Sequence, residues 1–249
     1  MVRRSIAVCL LYALAVIGSA LSSPAGNRIV GGQLAEDAQM PYQIALFYED
    51  KFRCGGSIIG ARHVLTAAHC VLDGDKVLDA ARFSVHAGSV DLNAGGRRYE
   101  VEEVIPHEQY GFFQHDIALL QMRGRFRFDE HIRPIELMNK ELPVGSPVVI
   151  SGYGRVADDK PSSPVLLYTT MFVVEDTVCS DIAANLICID RPGNYGACNG
   201  DSGGPAVHAG KLVGVANFII DRCGGDHPDG YAKVSFYLDW IRKIQQSHP

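Results

Sequence analysis

The 249-residue sequence carries 23 lysines and arginines against 28 aspartates and glutamates, for a formal net charge of −5. That balance excludes the basic face that nucleic acid or an anionic membrane would select as a partner. From the N-terminus, Arg3 and Arg4 precede an apolar run from Ile6 to Ile17, and small residues follow at Gly18, Ser19 and Ala20. This is the layout of a secretory signal peptide, assigned here to residues 1–22. The run is shorter than the ~20 residues of a spanning helix, and no later stretch approaches that length without charges. The sequence therefore reads as a soluble, secreted, extracellular protein.

Cys9 leaves with the signal, so an even six cysteines remain: Cys54, Cys70, Cys179, Cys188, Cys198 and Cys223. In an oxidising compartment these imply three disulfides, with 15 pairings open on spacing alone. No zinc-type C-x-x-C spacing occurs, so a metal reading is weak, and no cofactor is expected. Short β-rich runs then follow in order: Tyr42 to Tyr48, Ser57 to Ile59, Val101 to Ile105, Ile117 to Met122, Val148 to Ser151 and Leu212 to Ala216. Gly, Pro, Asn and Asp clusters separate them, which indicates an all-β sandwich or barrel. Helical spacing appears only near the end, at Phe236, Tyr237, Trp240, Ile241 and Ile244. No repeat or Pro-rich linker divides the chain.

Three local patterns carry chemistry: Thr66-Ala67-Ala68-His69-Cys70, Asp116-Ile117-Ala118-Leu119-Leu120 and Gly200-Asp201-Ser202-Gly203-Gly204-Pro205. Singly, each has an ordinary explanation as a surface histidine, a strand start and a glycine turn. Together they supply what acyl transfer from an amide needs. That is a nucleophilic hydroxyl, a base of near-neutral pKa and a carboxylate that fixes the imidazole tautomer.

In these motifs and their order the chain resembles the chymotrypsin and trypsin family of serine proteases, over essentially all of Ile29 to Pro249. The segments Asn185 to Pro205 and Pro228 to Ile241 further resemble arthropod digestive chymotrypsins and the collagenolytic (brachyurin) group. The resemblance implies two six-stranded antiparallel β-barrels and a C-terminal α-helix. It implies Ser202 as nucleophile, His69 as general base and acid, and Asp116 as the group orienting His69. The N–H groups of Gly200 and Ser202 would form the oxyanion hole.

Arg28-Ile29-Val30-Gly31-Gly32 resembles the activation junction of the family. Cleavage after Arg28 would remove a propeptide of residues 23–28 and leave a protease domain of residues 29–249. The new Ile29 ammonium would then pair with Asp201. The mature net charge would be about −8, since Arg3, Arg4 and Arg28 leave with the precursor segments. The implied disulfides are Cys54 with Cys70, Cys179 with Cys188, and Cys198 with Cys223. The implied substrate pocket comprises Gly196, Ala197, Asn199, Asn217, Phe218, Ile219 and Asp229. Gly196 is its floor, and Ile219 and Asp229 are its walls.

Three departures are evident. Asn217 stands where many relatives have serine, Phe218 stands for the usual Trp, and Ser89 replaces the acidic first ligand of calcium-binding members. No structural calcium is therefore expected, and the sequence contains no N-glycosylation sequon. The implied partners are protein or peptide substrates, an activating trypsin-like protease and protein inhibitors, with the enzyme itself a monomer. Two other readings remain, a protease of an immune or clotting cascade and a non-catalytic homologue that only binds. The intact triad and oxyanion motif disfavour the latter.

Overall fold

A computed structural model describes residues 29–111, 114–175, 179 and 184–249. The segments expected to be a signal peptide and a propeptide, with Arg28, lie outside the described residues. Twelve strands form two closed rings. The first ring holds β1 (Gln43–Tyr48), β2 (Lys51–Ile58), β3 (His63–Thr66), β4 (Phe83–Ala87), β5 (Arg97–Pro106) and β6 (Ala118–Met122). The second holds β7 (Pro147–Gly152), β8 (Leu167–Val174), β9 (Leu186–Asp190), β10 (Pro205–His208), β11 (Lys211–Phe218) and β12 (Asp229–Lys233).

All pairings around both rings are antiparallel. The order β1-β2-β3-β6-β5-β4 in the first recurs as β7-β8-β9-β12-β11-β10 in the second. Closure removes the free edges that would otherwise invite pairing with another chain. Among the described residues a single α-helix, α1 (Val234–Ser247), follows β12 directly. Among the described residues no helix is long and apolar enough to cross a membrane.

The side-chain period of two explains how the rings pack. Along β1, Ile44 and Leu46 point into the first barrel with Val64 and Leu120. The alternate residues Ala45 and Phe47 join Tyr153 and Leu166 in a separate cluster. This strand is buried on both faces because one face fills its barrel and the other packs against the second half of the chain. Ser151 Oγ donates to Gln43 Oε1 at 2.7 Å, a buried polar tie between β7 and β1. The second barrel is filled by Val148, Ile150, Leu167, Ile189 and Tyr231, among others.

Helix α1 turns back onto the first barrel, where Tyr237, Leu238 and Ile241 enter its core cluster. The helix therefore bridges the two halves. Phe236, which shares the predicted helical spacing, does not join that face and is half exposed. Three disulfides join Cys54 to Cys70, Cys179 to Cys188 and Cys198 to Cys223, the pairing that the family resemblance implies. Each closes a short loop and restricts the unfolded chain by a typical ~2–4 kcal/mol.

Candidate active site

Strand pairing brings the imidazole and the carboxylate together. In the antiparallel pair β3–β6, Thr66 lies opposite Ala118, so the chain leaving β3 and the chain entering β6 share one end of the sheet. His69 stands three residues past Thr66, in a turn of 3-10 helix at Ala68–Cys70. Asp116 stands two residues before Ala118. The turn is pinned by its buried neighbours Ala68 and Cys70 and by the Cys54–Cys70 bridge.

Asp116 is almost wholly buried and uses both oxygens on His69. Oδ2 lies 2.6 Å from Nδ1, and Oδ1 accepts the His69 backbone N–H at 2.9 Å. The carboxylate therefore fixes the imidazole by two bonds and holds the proton on Nδ1. Nε2 is left as the basic nitrogen, on a ring that is one-third exposed.

Ser202 is carried by the loop between Cys198 and Pro205. Gly55 N–H donates to the Ser202 carbonyl at 2.8 Å, and Gly203 N–H donates to Ala216 O at 2.8 Å. The loop is thus docked onto β2 on one side and β11 on the other. Its glycines are sterically required at two points. Gly203 has φ +75°, and a Cβ there would run into Thr66 Oγ1. Gly200 has φ +101°, with Gly154 Cα only 3.0 Å from where its Cβ would stand. Among the described residues the N–H groups of Gly200 and Ser202 donate to no protein acceptor.

Asp201 turns inward from the same loop and is buried. It accepts Gly154 N–H at 2.8 Å and Cys198 N–H at 2.9 Å. Burial still dominates, and its carboxyl is pushed up to about 7. Glycines at 152 and 154 leave the space this carboxyl occupies. Ile29 is buried in the core cluster of the second barrel, beside Ile150 and Ala197 in the same set of packed residues. Val30 forms an isolated antiparallel bridge with Gly196.

One cleft of about 280 Å³ is lined by His69, Asp116 and Ser202 together. Of the residues predicted for the substrate pocket, Ala197, Asn199, Asn217, Phe218 and Ile219 line it, whereas Gly196 and Asp229 do not. Asp229 is buried, and its Oδ2 accepts Ala197 N–H at 2.7 Å. The same oxygen lies 2.9 Å from where a Gly196 Cβ would stand. The carboxyl thus fills the space of the missing Gly196 side chain and reaches the cleft through the backbone of Ala197. Burial pushes it, too, up to about 7.

The cleft also holds residues that the sequence motifs do not single out: Tyr110, Ala216, Gly230 and Tyr231. Gly230 is legible only in three dimensions, because the Phe218 ring lies where its side chain would be. Tyr110 could have been flagged by its position six residues before Asp116, but no motif marks it.

Two antiparallel six-stranded barrels, with a histidine, a buried aspartate and a serine on one shared cleft, define a chymotrypsin-like serine endopeptidase. The sequence profile of the family Trypsin matches residues 29–241, and the chain belongs to that family. It is 51% identical over 226 residues to serine protease SP24D of Anopheles gambiae, covering 90% of this chain and 83% of that protein. It is 34% identical to chymotrypsin-2 of Vespa crabro, covering 87% of this chain and all of that one. Among solved structures, mouse neuropsin superposes with a TM-score of 0.78 at 29% identity, covering 86% of this chain and 98% of that one.

Proposed function

We propose that this serine endopeptidase is secreted as a precursor, is activated by cleavage after Arg28, and hydrolyses peptide bonds through a Ser202 acyl-enzyme. The observation that carries this reading is the 2.6 Å contact between His69 Nδ1 and Asp116 Oδ2 on the cleft that Ser202 lines. With Nδ1 committed to Asp116, Nε2 takes the Ser202 hydroxyl proton as Oγ attacks the scissile carbonyl carbon. The carbonyl oxygen becomes an oxyanion and accepts from Gly200 and Ser202 N–H, donors whose individual loss costs ~10²–10³ in rate. Collapse of the tetrahedral species breaks the C–N bond, and the proton on Nε2 leaves with the amine. Water then repeats the sequence on the ester, giving up its proton to Nε2 and releasing the acid.

The preferred residue on the acyl side of the cleaved bond is a medium apolar one such as Leu. Ile219 on the cleft wall narrows the site against large aromatic rings. The carboxyl of Asp229 lies behind Ala197, where it gives some tolerance of Arg or Lys. A broad apolar preference suits bulk protein digestion better than limited cleavage in a cascade, so a digestive setting is proposed.

Two experiments test this. Ser202→Ala in the activated enzyme should lose several orders of magnitude in kcat while still binding substrate, and retention of a tenth of the parent rate would require another nucleophile. A peptide series varying only the acyl-side residue, read as kcat/KM, should rank Leu above Phe and Tyr, with Ile219→Gly raising the aromatic values. A hundredfold advantage for Arg over Leu in the parent would overturn the apolar preference.

A further inference from the structure

The reaction needs Asp116 in one place, because both its oxygens are used on His69, yet nothing in the bonds between those two residues fixes the backbone that carries the carboxylate. Asp116 is the middle residue of a three-residue turn, closed by Ile117 N–H donating to His115 O at 2.8 Å. The residue before it, His115, has φ +51°. A left-handed backbone is uncommon for a residue with a Cβ and persists where the surroundings hold it. The entry to the turn is therefore set by whatever holds His115.

The His115 ring is held on two sides by other elements. It stacks on the His107 ring at 4.6 Å between centroids, with the planes 15° apart. Its Nδ1 lies 3.3 Å from the Tyr237 hydroxyl on α1. Tyr237 is buried, and its oxygen accepts from Asn185 Nδ2 at 2.8 Å, so its own proton is free to go to His115. His107 is fixed in turn. It is buried, its Nδ1 accepts Gln109 N–H at 3.2 Å, and the Trp240 ring of α1 covers it at 5.0 Å. The Tyr110 N–H donates to His107 O at 3.0 Å, so the same histidine sets the turn that places Tyr110 on the cleft.

We propose that His115, clamped between the His107 ring and the Tyr237 hydroxyl, is a positioning residue that fixes the Asp116 carboxylate beneath His69. It acts through Asp116 and touches no substrate. Through it the C-terminal helix, and Asn185 beyond it, bear on the catalytic geometry. The inference rests on the triad roles proposed above. The charged and titratable groups around the clamp are Asp116, Tyr110, His107 and Glu108. Glu108 Oε2 accepts from Trp240 Nε1 at 2.9 Å and lies 4.0 Å from His107 Nδ1, and Lys243 of α1 bears on it electrostatically.

The test uses the full-length chain, activated, with Asp116→Asn, Tyr237→Phe, His115→Gly and His115→Asn beside the parent. His115→Gly keeps a residue at ease with positive φ while deleting the ring. His115→Asn keeps both that tolerance and an acceptor for the Tyr237 hydroxyl. Tyr237→Phe and His115→Gly should each lower kcat about tenfold at unchanged KM. Both should also move the acid limb of the kcat/KM profile down by about half a unit, because a displaced carboxylate supports the His69 imidazolium less. His115→Asn should recover most of kcat, and the double variant of Tyr237→Phe with His115→Gly should be no worse than the worse single.

A drop in melting temperature with kcat and the acid limb unchanged in Tyr237→Phe and His115→Gly would overturn the inference, leaving the ring pair as packing alone. If Asp116→Asn itself kept the parent kcat, the triad reading would fall instead, which separates the two failures.

Discussion

At single residues the balance between burial and partners decides the chemistry, and Asp229 shows it most simply. Its carboxyl accepts one backbone N–H from Ala197, but burial outweighs that bond and pushes its pKa up to about 7. The folded state therefore holds its proton more tightly than the unfolded chain does, and stability falls as pH rises from about 4 through 7. The full shift corresponds to a cost of up to about 4 kcal/mol above pH 7. Asp229→Asn keeps an oxygen for Ala197 N–H and removes the ionisation. In a Ser202→Ala background, which prevents self-digestion, it should raise stability at pH 8 by about 2 kcal/mol and give no gain near pH 4. Thermal unfolding at pH 4, 6 and 8 checks this. An equal gain at all three values would show that ionisation of Asp229 is not the cause.

At the level of elements, the site is made by ends and turns, and these are held by contacts between elements distant in sequence. The nucleophile loop depends on Gly203, whose φ of +75° costs an L side chain roughly 1–2 kcal/mol and whose missing Cβ leaves room for Thr66 Oγ1. Thr66 Oγ1 in turn donates to Gly55 O at 2.8 Å, next to the Gly55 N–H bond to Ser202 O. Gly203→Ala should therefore lower kcat at least a hundredfold and reduce melting temperature. Gly203→Ala combined with Thr66→Ala should recover only part of either, since the backbone strain stays. Active-site titration with a serine-reactive phosphonate alongside kcat checks this, and full recovery in the double variant would show that the clash alone matters.

These elements were unequally legible in the sequence. The apolar runs Tyr42 to Tyr48, Ile117 to Met122 and Val148 to Ser151 coincide closely with β1, β6 and β7, because those strands fill a barrel. Lys51–Ile58 was seen only at its end, since Lys51, Arg53 and two glycines mask the first part of the strand. Asp229–Lys233 was missed as a strand, because its burial comes from tertiary packing around an aspartate, a glycine and a lysine rather than from local pattern. His69, Asp116 and Ser202 could be read from local motifs, and Tyr110 and His115 could not, because what gives them a place is a ring stack and a helix over a hundred residues further along.

For the whole molecule the central question is how the proposed cleavage after Arg28 would switch on a cleft far from it in sequence. Asp201 supplies the physical lever. Among the described residues its carboxyl accepts two backbone N–H groups, and burial pushes its pKa up to about 7. In the uncleaved chain Ile29 N is a neutral amide and cannot relieve that cost. Cleavage after Arg28 would convert it to an ammonium of reference pKa near ~8, which a carboxylate partner raises further. That contribution is complete below the reference value and is lost as pH rises through the raised one. Breaking such a buried pair costs about 3–5 kcal/mol. Asp201 flanks Ser202, and its Oδ2 accepts from Cys198 N–H, so this energy bears directly on the loop that carries the nucleophile and Gly200. Three outcomes follow. An Arg28→Gln precursor should stay nearly inactive under a trypsin-like activator that switches on the parent. The activated parent should lose activity at strongly alkaline pH. Asp201→Asn, which keeps only one of the two oxygens that accept Gly154 and Cys198 N–H, should cut the activity of the cleaved enzyme by 10² or more. N-terminal sequencing after activation, a pH–activity profile and kcat of the cleaved variants provide the readouts. Full activity in uncleaved Arg28→Gln, or full activity in cleaved Asp201→Asn, would break the link between the cleavage and this carboxyl.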